Sequence, residues 1–153
     1  MYRPLWSEQI MAEMARALET KLHRTAQEIS YRKQQMNAAF PEAMVTVPSE
    51  LLRSVECLPD ESDRHVLAAA IMARANVIVT QNTKHFPKAH LERWGVLCQT
   101  ADDFMIHQYL CQQFVLDKLD DQGAGISQDR KYVINSLRNL VPEFVNLLEE
   151  QQR

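Results

Sequence analysis

With 153 residues, 46% hydrophobic and 24% charged, the chain is long enough to bury one sufficient core, and one main domain is expected. Only three glycines occur and every apolar run is broken within a few positions, which excludes collagen-like, low-complexity and membrane-spanning readings and leaves a soluble, mostly helical protein. The formal net charge of −3 gives no global attraction to nucleic acid, so any phosphate contact must come from a local basic patch.

Ser7 is placed to cap a first helix, along which Ile10, Met11, Met14, Leu18 and Leu22 recur at helical spacing. A second helix is predicted from about Ala26, with the polar run Tyr31 to Gln35 as a solvated face and an end near Phe40-Pro41, because the residue before proline avoids the α region. Met44 to Val47 reads as a short strand and Ser49 to Leu52 as the start of a helical turn. Pro59 to Asp63 then opens another helix, with Asp60 as N-cap and Asp63 at N3, and Arg64 to Arg74 follows until Asn76 ends it. Val77 to Thr80 reads as a parallel strand buried on both faces.

A further short strand is predicted at Trp94 to Cys98, and a helix capped at Thr100 should run to about Phe114. Asp117 to Asp129 is polar and holds two of the three glycines, making 116–129 the linker between a domain at 1–115 and a helical extension at 130–153. In that extension Val133, Ile134, Leu137, Leu140, Val141, Phe144, Val145 and Leu148 form a stripe that Pro142 should kink or restart. Packing on its own domain is the commoner use of such a stripe; dimerisation and partner binding are the others. The cysteines Cys57, Cys98 and Cys111 show no zinc spacing, and no signal-peptide core opens the chain, so the expected compartment is the cytoplasm.

Hydrolysis of a phosphodiester by divalent metal requires carboxylates converging on one or two ions. Asp60 and Asp63 are one helical turn apart at a helix start and can face one point, although first-turn acids more often only cap. Glu13 flanks the apolar stripe of the first helix and points either inward or into solvent. Thr80 and Asn82 follow the end of a strand, where open α/β sheets place ligand groups. His85 and His90 are not on one helical face and neither is expected to be a catalytic base. Arg64 and Lys84 are the cations best placed for RNA, and Trp6 and Trp94 read as core or edge aromatics.

Asp60-Glu61-Ser62-Asp63 before the Ala-rich helix, then Val77-Ile78-Val79-Thr80-Gln81-Asn82 and His85-Phe86-Pro87, closely resemble the C-terminal half of PIN domains, and Ser7 to Glu13 resembles the motif that ends in a glutamate on an early helix. The resemblance covers residues 1 to about 104. It implies an α/β fold, the three-layer α/β/α type with a short central parallel sheet, here with extra C-terminal helices. It further implies a Mg²⁺- or Mn²⁺-dependent endoribonuclease of the toxin–antitoxin kind. Glu13 and Asp63 would be metal-binding acids, Asp60 an auxiliary one, and Asn82 and Thr80 would orient the metal shell or the attacking water; His85 matches a structural turn position. The implied partners are an RNA substrate, a cognate antitoxin protein and a second copy in a homodimer.

The family's first motif is a hydrophobic strand ending in aspartate, and Met1 to Trp6 already lies past it, with no Asp before Glu13. The expectation is therefore an N-terminally truncated PIN-like domain. A catalytically impaired binding or regulatory module is the alternative, since a site short of one anionic ligand binds hard cations more weakly. A plain helical interaction protein, in which Asp60 and Asp63 only cap, is the third.

Overall fold

Two short strands are joined by a pair of helices at the start of the chain. The structure, a computed structural model, describes residues 2–55, 58–109 and 112–150, and side chains in all of these but 112–114. Strand β1 (Trp6–Ser7) pairs parallel with β2 (Met44–Val45), Trp6 opposite Met44 and Ser7 opposite Val45. Parallel neighbours need a crossover. Helices α1 (Glu8–Leu22) and α2 (Ala26–Ala39) supply it. Ser7 caps α1 as expected, its hydroxyl accepting from the Ile10 N–H, and Thr25 forms a capping box with Glu28 on α2. Trp6, Met11 and Ala43 make a small core there, with Phe40 edge-on to Trp6, while α2 buries no residue.

Helix α3 (Ser49–Ser54) follows β2, and a 3₁₀ turn at Glu61–Asp63 leads directly into α4 (Arg64–Met72). Asn76 does not end α4. Arg74 adopts the left-handed conformation at φ 53°, so that the Ala75 N–H reaches back to the Ala70 carbonyl and closes the last turn earlier. Strand β3 (Val77–Val79) comes next, then a 3₁₀ turn at Thr83–His85, α5 (Lys88–Leu91) and β4 (Leu97–Gln99).

Two expectations about these strands need correction. β3 is not buried on both faces, because side chains alternate along a strand: Ile78 is 6% exposed and enters the core, whereas Val79 is 44% exposed. Trp94 belongs to a 3₁₀ turn at Glu92–Trp94 that ends at Gly95 with φ 66°, so β4 starts later than Trp94. The bonds from Leu97 N–H to Asn76 O and from Thr80 N–H to Gln99 O advance together along β3 and β4, as in a parallel pair. Among the described residues these are two separate two-stranded sheets, not one central sheet.

The chain divides into two compact units, Met1–Ile78 with Lys84–Cys98, and Val79–Thr83 with Gln99–Arg153. The main core of the first is Val55, Leu58, Leu67, Ala68, Ala70, Ile78, Phe86, Leu91 and Val96. The second contains α6 (Ala101–Gln108), α7 (Gln112–Gly125), α8 (Arg130–Leu137) and α9 (Pro142–Glu150). Most of the stretch 116–129 is thus helical rather than extended linker, its apolar Leu119 being buried. Pro142 restarts the chain as the first residue of α9, where its missing N–H costs nothing. The C-terminal stripe packs within its own unit, Val133, Ile134, Val141, Phe144, Val145 and Leu148 closing on Tyr109 and Leu119. Cys57 and Cys111 lie outside the described residues; Cys98 is half-buried, and burial pushes its thiol pKa up. No helix among the described residues is long and apolar enough to cross a membrane.

One distant carboxylate caps α9. Asp102 on α6 accepts from the Glu143 N–H at 3.0 Å and the Phe144 N–H at 2.8 Å, satisfying two donors that the helix itself leaves open. Hydrogen bonds to charged groups contribute about 1.5–3 kcal/mol. Asp102→Ala should therefore lower the stability read by urea unfolding by about that amount, and a change below about 0.5 kcal/mol would show that these bonds do not matter in solution.

Candidate metal centre

The turn Asp60-Glu61-Ser62-Asp63 folds because Asp60 holds it from within. Its Oδ1 accepts from the Ser62 N–H at 2.9 Å and from the Ser62 hydroxyl at 2.7 Å, and the Asp63 N–H donates to the Asp60 carbonyl. The sequence-expected cap is thus present, and it occupies one oxygen of Asp60 only. Asp63 stands at the N-cap of α4 yet makes no side-chain capping bond, and its carboxylate instead meets His85.

His85 meets both acids. Its Nδ1 lies 2.5 Å from Asp63 Oδ2 and 3.4 Å from Asp60 Oδ2, and the three ligand atoms are all within 4.8 Å of one another. The fold causes this convergence from two sides. The residue after His85, Phe86, is buried in the same core as Leu67 and Ala68 of α4, so the 3₁₀ turn is anchored beside the start of that helix. The reading of His85 as only a turn residue is incomplete, since it is within ligand distance of Asp60 and Asp63.

The Ser62 hydrogen bonds, with a smaller contribution from the nearby His85, hold the Asp60 carboxyl below the usual carboxylate range. A lowered folded-state pKa favours folding above the ordinary range, and that contribution is lost as pH falls through the lowered value. Carboxyl NMR titration should accordingly place the Asp60 midpoint below that of an unfolded peptide, and Ser62→Ala should move it up; an unmoved midpoint would refute the hydrogen-bond cause.

Glu13, on α1 and outside the Asp60, Asp63 and His85 group, has its Oε2 3.3 Å from Nε2 of His65 on α4. Thr80 and Asn82 fall just past β3 in the second unit, and the Thr80 hydroxyl accepts from the Asn82 N–H at 3.1 Å. Arg64 pairs with Glu61 at 2.9 Å, and Lys84 is exposed. Trp6 is a core aromatic and Trp94 an exposed one, with the Arg93 guanidinium 5.0 Å from its ring centre.

Two carboxylates and an imidazole nitrogen form a hard to borderline donor set. Carboxylate oxygens suit Mg²⁺ and Mn²⁺, and the imidazole nitrogen adds weight to Mn²⁺ and later transition metals. The residues present therefore fit a divalent cation. The sequence placed His85 at a turn and did not single out His65, because the contacts of His85 with Asp63 and of His65 with Glu13 join elements that no local spacing relates.

Comparison with known proteins adds two matches. The PIN domain model matches residues 1–84, more than half of the chain. A protein of Mycobacterium tuberculosis (strain ATCC 25618 / H37Rv) named "Putative ribonuclease VapC50" is 52% identical over 46 residues, a stretch covering 30% of this chain and 27% of that protein. No solved structure matches.

Proposed function

We propose that this chain, which belongs to the PIN-domain family, is a divalent-metal-dependent endoribonuclease of the toxin–antitoxin type. The observation that carries the reading is the convergence of Asp60, Asp63 and His85 at the start of α4, inside the matched region for the two acids and one residue past it for the histidine. The partial likeness to the mycobacterial protein, whose name describes a ribonuclease, supports RNA as the substrate. A cognate antitoxin, a homodimer, a cytoplasmic site of action and the three-layer α/β/α arrangement belong to the same proposal.

In this reading Asp60 and Asp63 hold the cation with Glu13, and His85 adds a nitrogen donor. A divalent ion bound there supplies neutralisation of charge on the scissile phosphate and its leaving oxygen. Asp60 contributes a carboxylate that stays ionised, because Ser62 stabilises that form. The family resemblance gives Thr80 and Asn82 the role of orienting the metal shell or the attacking water, and the Thr80 hydroxyl accepts from the Asn82 N–H.

The test is cleavage of a structured RNA by the chain with Mn²⁺, and with Mn²⁺ and excess EDTA. Cutting that requires the metal is the expected result, whereas cutting that survives EDTA would remove the metal from the mechanism. Should no cutting occur, the assay is repeated on a version extended at its N-terminus by a hydrophobic strand ending in aspartate. Failure of both forms would overturn the nuclease reading in favour of a binding module.

A further inference from the structure

His65 is 3% exposed and is a polar side chain that the chemistry above does not use. Its Nδ1 lies 2.7 Å from the Ser62 carbonyl. A carbonyl can only accept, so the hydrogen is on Nδ1 and the Nδ1–H donates. The other nitrogen, Nε2, is buried, has no aligned hydrogen-bond partner, and stands 3.3 Å from Glu13 Oε2.

His65 therefore touches two things at once: the backbone of the turn that carries Asp60 and Asp63, and the acid on α1. We propose that His65 is a positioning residue that holds the Glu13 carboxylate in register with the Asp60–Asp63 turn, so that acids from two elements act on one cation. This rests on the metal-site reading of the proposed function. Its structural basis is separate, since neither His65 contact involves Asp60, Asp63 or His85 side chains. Partners that orient the ligands of a metal site matter to its affinity, and their removal weakens metal binding on the order of 10–100-fold.

Two substitutions separate the two ends of the ring. His65→Asn keeps a donor near Nδ1, toward Ser62, and loses the reach to Glu13; His65→Gln keeps a polar atom near Nε2. The experiment is Mn²⁺ titration by calorimetry on the full chain, for wild type, both His65 variants, Glu13→Gln and the double variant His65→Asn with Glu13→Gln, with thermal unfolding of each metal-free protein alongside. His65→Asn should weaken Mn²⁺ binding by about 10-fold or more, His65→Gln should restore most of it, and His65→Asn should add nothing once Glu13 is already Gln. Equal weakening by His65→Asn in both backgrounds, or none in either, would overturn the positioning role while leaving the metal site standing. Wild-type protein that binds no Mn²⁺ would bring down the metal-site reading, and this inference with it. Loss of folding in His65→Asn alone leaves the decision to His65→Gln against Glu13→Gln, where a Gln variant binding as weakly as Glu13→Gln counts against the proposal.

Discussion

Asp63→Ala should abolish metal-dependent RNA cleavage while leaving the fold of the metal-free protein nearly as stable as before. A carboxylate that holds the catalytic cation is associated with several kcal/mol of transition-state stabilisation, and at about 1.4 kcal/mol per tenfold its loss corresponds to roughly a thousandfold in rate. The stability cost should be small for a reason visible in the turn. Asp63 makes no capping bond to α4, in contrast to Asp60, and its removal also relieves the proximity of two carboxylates. Only the half-buried pair with His85 is lost. Melting of the metal-free variant should thus fall by no more than about 2–4 °C, the equivalent of about 1 kcal/mol in a chain of this size.

Added Mn²⁺ should raise the melting temperature of the wild type and not of the variant, because an ion that binds only the folded state stabilises it by mass action. An Asp63→Ala protein that melts much earlier, with cleavage reduced only in proportion, would make the residue a plain cap. The opposite pattern is predicted for Asp60→Ala, which removes the Ser62 hydrogen bonds and should lower stability together with metal affinity.

Phe144→Ala is the substitution with the largest expected effect on stability. Phe144 is fully buried, lies edge-on to Tyr109 with ring centres 5.7 Å apart, and packs with Val141, Val145 and Leu148 in the core of the second unit. Truncation of such a ring costs about 3–5 kcal/mol, combining lost transfer energy with the cavity left behind. Urea unfolding should show a loss of that size. A loss below about 1 kcal/mol would mean that α9 is not packed in solution as described. The Asp102 bonds to the backbone at Glu143 and Phe144 act at the same end of α9, so Asp102→Ala and Phe144→Ala should combine non-additively.

The ion pairs at the edges of the same unit carry less weight. Arg130 with Asp120 and Arg138 with Glu149 are partly exposed, and pairs of that kind contribute about 0–1 kcal/mol. They serve better as fasteners of α8 against α7 and α9 than as sources of stability.

Local chemistry made much of this protein legible from its residues. The cap at Ser7, the end of α2 before Pro41, the strand at Met44, the cap at Thr100 and the restart at Pro142 each depend on neighbours within a few positions, and each is where the sequence placed it. The matched PIN motif likewise lies in contiguous stretches, which is why the family could be read before any geometry. Local spacing also put Asp60 and Asp63 one turn apart, without deciding between capping and metal binding.

Other features depended on distance in space. The left-handed Arg74 shortens α4, β3 turns Val79 outward, and α7 takes up a glycine-bearing polar stretch whose Leu119 finds a core to enter. His85 is 22 residues from Asp63, and Glu13 is 52 positions before His65; only the packing of α1 and of the turn before Phe86 against α4 brings these groups together. The sequence thus determined which acids were available and on which elements they stand. The tertiary structure decided that two histidines face them, because those contacts arise from core packing and not from helical or strand periodicity.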